Sequence, residues 1–178
     1  MAGLADLFCP DLYYDRISSV NLDDLRSRGI RGLVIDLDNT LVAWRSSEIP
    51  PDVSEWASKA KKMGFTLCIA SNTRRYRRLA GVASALGASY VTGVSKPRRA
   101  GFRRAVRELD LPAECVAAIG DQLLTDILCA NRAGLLSIFV ERISQREFVV
   151  TKFNRRLERR ILDSLRKSGK LPERRMAG

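Results

Sequence analysis

Two aspartates, Asp36 and Asp38, stand two residues apart at the end of the apolar run Leu33-Val34-Ile35, with Leu37 between them. On a continuing strand, positions i and i+2 share a face; on the turn after it, both carboxylates can converge on one point. Two close carboxylates repel each other, so such a pair needs a cation, a shared proton or divergent pKa values. Asp121 and Asp126 follow another apolar run, which ends at Gly120. Three or four aspartates without histidine or thiolate make a site of hard oxygen donors, which favours Mg²⁺ over zinc or copper. Lys96 and the hydroxyls of Ser71 and Thr73 would add donors. Acid, metal and a lone lysine suit phosphate bound and transferred in line.

Histidine is absent from the whole chain. That absence removes Ser-His-Asp hydrolysis, Cys-His proteolysis, HExxH zinc sites and haem ligation by histidine. Cys9, Cys68, Cys115 and Cys129 lie far apart with no CxxC pair, which reads as small hydrophobes in a reducing compartment. The start, MAGLADLFCPDLYYD, has neither a basic leader nor a long apolar core, so the expected location is cytoplasmic. A length of 178 residues suits one domain, and no stretch approaches the ~18 unbroken apolar residues of a membrane span.

Short apolar runs alternate with longer amphipathic ones, and this alternation supplies the frame for those residues. Strands are expected at 33–37, 65–70, 89–92, 115–119 and, as the last, 136–140. Helices are expected at 52–63 with Asp52 as N-cap, 74–86, 98–109 and 125–133, with stops at Gly64, Gly87 and Gly134. Such a pattern predicts an α/β fold, with a mostly parallel sheet covered on both faces and ligands beyond the carboxyl ends of its strands. Asp36–Thr40, Ser71–Thr73, Ser95–Pro97 and Gly120–Asp126 all fall at those ends. For Asp126, a helix-start role favoured by the dipole stands beside the ligand role.

Net charge is +11, concentrated in two blocks: residues 74–107 carry +10 and residues 151–178 carry +7. They point to anionic partners: phosphates, nucleic acid or an anionic membrane. Arginines 74–78 either line a pocket mouth or form a solvated helix face. Residues 1–150 are expected to form the main domain, and 151–178 a basic amphipathic helix and tail. Phe153, Leu157, Ile161, Leu162 and Leu165 recur there at helical spacing. That stripe either packs against the domain or a second subunit, or lies on anionic lipid. Lys167–Gly178 is expected to fray.

The motif Asp36-Leu-Asp38-Asn-Thr-Leu resembles the first motif of the haloacid dehalogenase-like (HAD) phosphatases. Ser71 resembles their second motif, Lys96 in SKP the third, and GDQLLTD at 120–126 the acidic fourth, in matching order and intervals over roughly residues 30–142. More narrowly, LVIDLDNTLVAW, ASNT, GDQLLTDIL and NRAG resemble the YqeG family of subclass IIIA, itself similar to mitochondrial phosphatidylglycerophosphate phosphatases. This likeness extends into Thr151–Arg156 and Glu158-Arg159.

The resemblance implies a Rossmann-like three-layer sandwich and a set of roles. Asp36 would be the nucleophile, forming an aspartyl-phosphate. Asp38 would protonate the leaving oxygen and then deprotonate water. Mg²⁺ would be held by Asp36, the main-chain carbonyl of Asp38, Asp121 and, directly or through water, Asp126. Ser71 and Lys96 would hold the equatorial oxygens. Asn72, Thr73 and Arg74 are further substrate-binding candidates. Relatives insert substrate-selecting caps after the first or second motif; here Val42–Pro51 leaves room for a minimal cap or none. An open site suits a lipid headgroup at the inner face of a membrane, or a macromolecule. Phosphatidylglycerophosphate is the substrate that family likeness favours, and the basic block suits any strongly anionic phosphate ester. A different class also competes: a basic RNA- or ribosome-associated binding protein on a HAD scaffold, supported by charge but by no RNA-binding motif. The oligomeric state is open.

Overall fold

The inner strand-forming runs in this chain are largely apolar on both sides, which suits a parallel sheet covered by helices on each face. The computed structural model describes residues 7–94, 96, 99–144 and 149–176, with the side chains of residues 99 and 149–155 left out. Seven strands, all paired in parallel, form one sheet: β1 (Leu12–Tyr14), β2 (Gly32–Ile35), β3 (Thr66–Ser71), β4 (Ser89–Thr92), β5 (Val116–Gly120), β6 (Leu136–Val140) and β7 (Arg174–Arg175). Their order is β4-β3-β2-β5-β6-β1-β7. The helices are α1 (Leu22–Ser27), α2 (Pro51–Lys62), α3 (Tyr76–Leu86), α4 (Arg99–Leu109), α5 (Leu128–Ala133) and α6 (Val149–Lys167).

The chain runs outward from β2 through β3 to β4, then returns to place β5 on the other side of β2. That reversal opens a crevice at the carboxyl ends of β2 and β5, where a parallel α/β sheet takes its ligands. Successive strand residues point to opposite faces. Leu33, Ile35, Leu67, Ile69 and Ile119 pack with residues of α1, α2 and α3 in one core. Val34, Cys68, Ala70 and Ala118 pack on the other face against Phe102 and Ala105 of α4 and Cys129 of α5. Small strand residues on that face let α4 come close: a Cβ at Gly101 would overlap the main chain of Val94. Trp56 is core, its Nε1–H donating to the carbonyl of Val20 at 3.0 Å.

Several expectations need correcting. β1 and β7 were not foreseen, and β6 is not the last strand. The tail expected to fray instead pairs Arg174 and Arg175 with Tyr13 and Tyr14, and Arg175 also bonds Asp24 at 2.9 Å. Two-residue strands carry no readable alternation; partners distant in the chain create them. The N-cap of α2 is Pro50, without a side-chain cap bond, and Asp52 instead accepts from the Ser18 hydroxyl at 2.7 Å. α3 begins at Tyr76, leaving Arg74 and Arg75 in the loop. The helix expected from Thr125 opens as a π-helical turn, Leu123–Ile127, before α5. Ser95, Pro97 and Arg98, like the side chains of residues 151–155, lie outside the described residues.

On α6, Leu165 is buried, while Ile161 and Leu162 pack against Tyr13, Leu123, Ile127 and Phe139. Glu158, also buried, accepts the Leu124 N–H at 3.1 Å and so fastens α6 to the π-helical turn. Leu157 remains exposed.

Candidate active site

The site is assembled from strand ends. Asp36 directly follows β2, and its N–H still donates to Ile119 O at 2.9 Å, so the ladder carries it to the sheet edge. Leu37 is wholly buried, and Asn39 takes a left-handed conformation (φ 65°). Asparagine tolerates that region better than most residues. The chain then folds back, with Asn39 N–H donating to Val42 O at 2.7 Å and Val42 N–H to Leu37 O at 3.2 Å. That tight turn keeps Asp38 at the crevice.

Asp121 follows β5, and the π-helical turn brings Asp126 back beside it. Such turns recur at functional sites because one extra residue re-aims a side chain. Asp126 accepts the Gln122 N–H at 3.2 Å. Gly120 is required here, since a Cβ would overlap the Cβ and Cγ of Asp126. Gly120→Ala should therefore cost about 1–3 kcal/mol of stability and lower turnover at least tenfold, read by thermal melting and phosphate release.

One carboxylate oxygen from each of Asp36, Asp121 and Asp126 lies within 4.8 Å of the other two. The Lys96 ammonium, 4% exposed, pairs with Asp126 Oδ1 at 2.7 Å and with Asp36 Oδ1. Burial pushes the Asp36 carboxyl up to about 7; Lys96 opposes that rise and Asp126 adds to it. Burial alone would depress the Lys96 ammonium, but the Asp126 and Asp36 carboxylates outweigh it and hold its pKa above lysine's ordinary range. If ionised, three carboxylates against one ammonium leave two negative charges in a buried space. An all-oxygen set with that charge fits a divalent hard cation such as Mg²⁺.

Beside the cluster lies a cleft of about 380 Å³, lined by Asp36, Asp38, Ser71, Asn72, Thr73, Arg74, Lys96 and Asp126. Asp121 belongs to the carboxylate cluster and not to the cleft wall. Ser71, at the end of β3, is buried and its Oγ accepts the Thr73 N–H at 3.1 Å. Thr73 Oγ1 in turn accepts the Arg75 N–H at 3.2 Å, which shapes the loop that presents Asn72, Thr73 and Arg74. The carboxylate of Asp38 lies outside the acidic cluster, and Arg78 engages both its oxygens, at 2.7 and 3.2 Å.

Arg75 and Arg78 also line the cleft, as do Trp44, Arg45, Gln122 and Thr125, to which sequence reasoning had assigned no role there. Gln122 and Thr125 lie inside the GDQLLTD run and were findable from it. Trp44 and Arg45, whose guanidinium stacks 4.4 Å from the Trp44 ring centroid, sit in the short connection expected in place of a cap. Of the two readings of the arginine run, the cleft-lining one holds for Arg74, Arg75 and Arg78, whereas Arg77 is solvated on α3.

Fold and crevice together define a class. Residues 22–134 match the haloacid dehalogenase-like hydrolases; the chain belongs to that family and is a phosphoric monoester hydrolase. Within the family it is 37% identical over 166 residues to YqeG, a probable phosphatase of Bacillus subtilis, across 93% of this chain and 96% of that one. A weaker likeness, 28% over 150 residues, links it to the chloroplastic phosphatidylglycerophosphate phosphatase 1 of Chlamydomonas reinhardtii, covering 80% of this chain and 56% of that protein. Among solved structures, an uncharacterised protein from Corynebacterium glutamicum shares the fold, with TM-score 0.52 and 22% identity over 81% of this chain and 98% of that one. Among the described residues, no helix is long and apolar enough to cross a membrane.

Proposed function

We propose that the chain hydrolyses a phosphomonoester through an aspartyl-phosphate on Asp36, at a Mg²⁺-dependent site. The observation that carries this reading is the meeting of three carboxylates from two strand ends around one buried lysine. Asp36 Oδ attacks phosphorus as the bond to the leaving oxygen breaks, and Asp38 gives that oxygen its proton. Asp38 then takes a proton from water as the water attacks the same phosphorus, which frees phosphate and restores the Asp36 carboxylate. Ser71 and Lys96 donate to the equatorial oxygens, with Asn72, Thr73 and Arg74 holding the ester beyond them. Asp36, Asp121 and Asp126, with the Asp38 carbonyl by family likeness, would hold the ion, which supplies positive charge to offset that of the phosphoryl group.

Phosphatidylglycerophosphate is the substrate we favour. The algal relative's activity supports it, as do a cleft opened by the absence of a large cap and the exposed arginines 74 and 75 at its wall. On this reading the enzyme works in the cytoplasm at the inner face of the membrane, with the exposed basic residues of α6 facing lipid.

Phosphate release, measured with Mg²⁺ and with EDTA, tests both levels. The panel comprises phosphatidylglycerophosphate in micelles, sugar phosphates and mononucleotides. Release should require Mg²⁺ and be fastest on the lipid. A soluble substrate turned over faster removes the lipid assignment; release unaffected by EDTA removes the ion; no release by folded protein removes the proposed chemistry.

A further inference from the structure

Arg78 stands in a run of four arginines, yet it differs from the others. Its side chain is 7% exposed, whereas Arg74, Arg75 and Arg77 are exposed to solvent. Its planar fork is committed in three directions. Nη2 donates to Asp38 Oδ1 at 2.7 Å, Nη1 to Asp38 Oδ2 at 3.2 Å, and Nε to the main-chain carbonyl of Ser46 at 2.6 Å. The Arg45 N–H closes the ring by donating to Asp38 Oδ1 at 3.0 Å. Arg45 itself holds a left-handed backbone (φ 62°), which a non-glycine residue keeps only where its surroundings fix it. The Asp38 carboxylate is thus held by two elements at once, both oxygens by α3 and Oδ1 also by the connection after β2.

We infer that Arg78 is a positioning residue acting through Asp38. It fixes the carboxylate in one orientation at the cleft and ties that orientation to residues 43–46, the segment standing in place of a cap. A bidentate guanidinium–carboxylate pair supplies geometric specificity that a lysine cannot reproduce. A proton carrier misplaced by about 1 Å costs on the order of 10²-fold in rate, so the effect belongs in kcat. This inference rests on the reading of Asp38 as proton donor and acceptor.

A double-mutant cycle tests it, with p-nitrophenyl phosphate and Mg²⁺ as the assay and circular dichroism as the check of folding. Arg78→Gln should lower kcat by about 30–100-fold and leave KM within about threefold. Arg78→Lys, which keeps the charge without the fork, should lose about tenfold. Asp38→Asn should lose about 10³-fold, and adding Arg78→Gln to it should change kcat by less than about threefold. Losses that multiply in the double variant would overturn the inference, because Arg78 would then act independently of Asp38. A raised KM with kcat retained would also overturn it and make Arg78 a substrate-binding group. Near-normal turnover by Asp38→Asn would remove the proton role of Asp38 and the inference with it, while leaving the Asp36 chemistry standing.

Discussion

Asp36→Asn should lower turnover by at least about 10⁴-fold while the protein stays folded. An amide cannot displace the leaving oxygen from phosphorus, so the covalent step has no nucleophile. The fold should survive for a separate reason. The bond that places residue 36 runs from its main-chain N–H to Ile119 O, and the substitution does not touch it. Ionised, the carboxylate is costly where it sits, since burial lifts its pKa to about 7 and the neighbouring Asp126 adds to the rise. A neutral isostere relieves that repulsion, and the amide oxygen still accepts from Lys96. The melting midpoint without metal should therefore hold or rise. Acid-quenched samples of the active enzyme should contain protein-bound phosphate, and those of the variant none. Turnover near that of the unmodified enzyme would show that the nucleophile is elsewhere.

Lys96→Met should lower stability as well as rate. The ammonium is 4% exposed and bridges Asp36 and Asp126 within the acidic cluster. Methionine fills similar volume but leaves the carboxylates without their internal countercharge. Removing one partner of a buried ion pair costs about 3–5 kcal/mol, which for a chain of this size is a fall of about 10 °C in melting midpoint in EDTA. Turnover should fall by about 10²–10³-fold, because a donor to the transferring phosphoryl group is lost. Mg²⁺ should restore more stability to this variant than to the unmodified protein, since a cation among the carboxylates replaces the missing charge. An unchanged midpoint in EDTA would mean that Lys96 does not neutralise the cluster.

The aspartates could be read from the chain because their spacing is a local property. Asp36 and Asp38 end a strand, Asp121 and Asp126 follow another, and parallel strands deliver their carboxyl ends to a common edge. The apolar runs at 115–119 and 136–140 were legible for the same reason: two-sided burial writes itself into consecutive residues. The stops at Gly87 and Gly134 were equally local, each a left-handed residue closing a helix at φ 63° and 75°.

Other features had no local signature. β7 exists because Arg174 and Arg175 meet Tyr13 and Tyr14 across nearly the whole chain, and two residues carry no period. The π-helical turn follows from packing Asp126 against Gly120, a contact invisible in helical propensity. Arg78 looks like its three neighbours in the run and is set apart only by contact with Asp38, forty residues earlier. Residue type and short-range order decide which groups arrive at the sheet edge. Which of them touch, and in what orientation, depends on distant segments excluding water together, and that is settled only when the layers close.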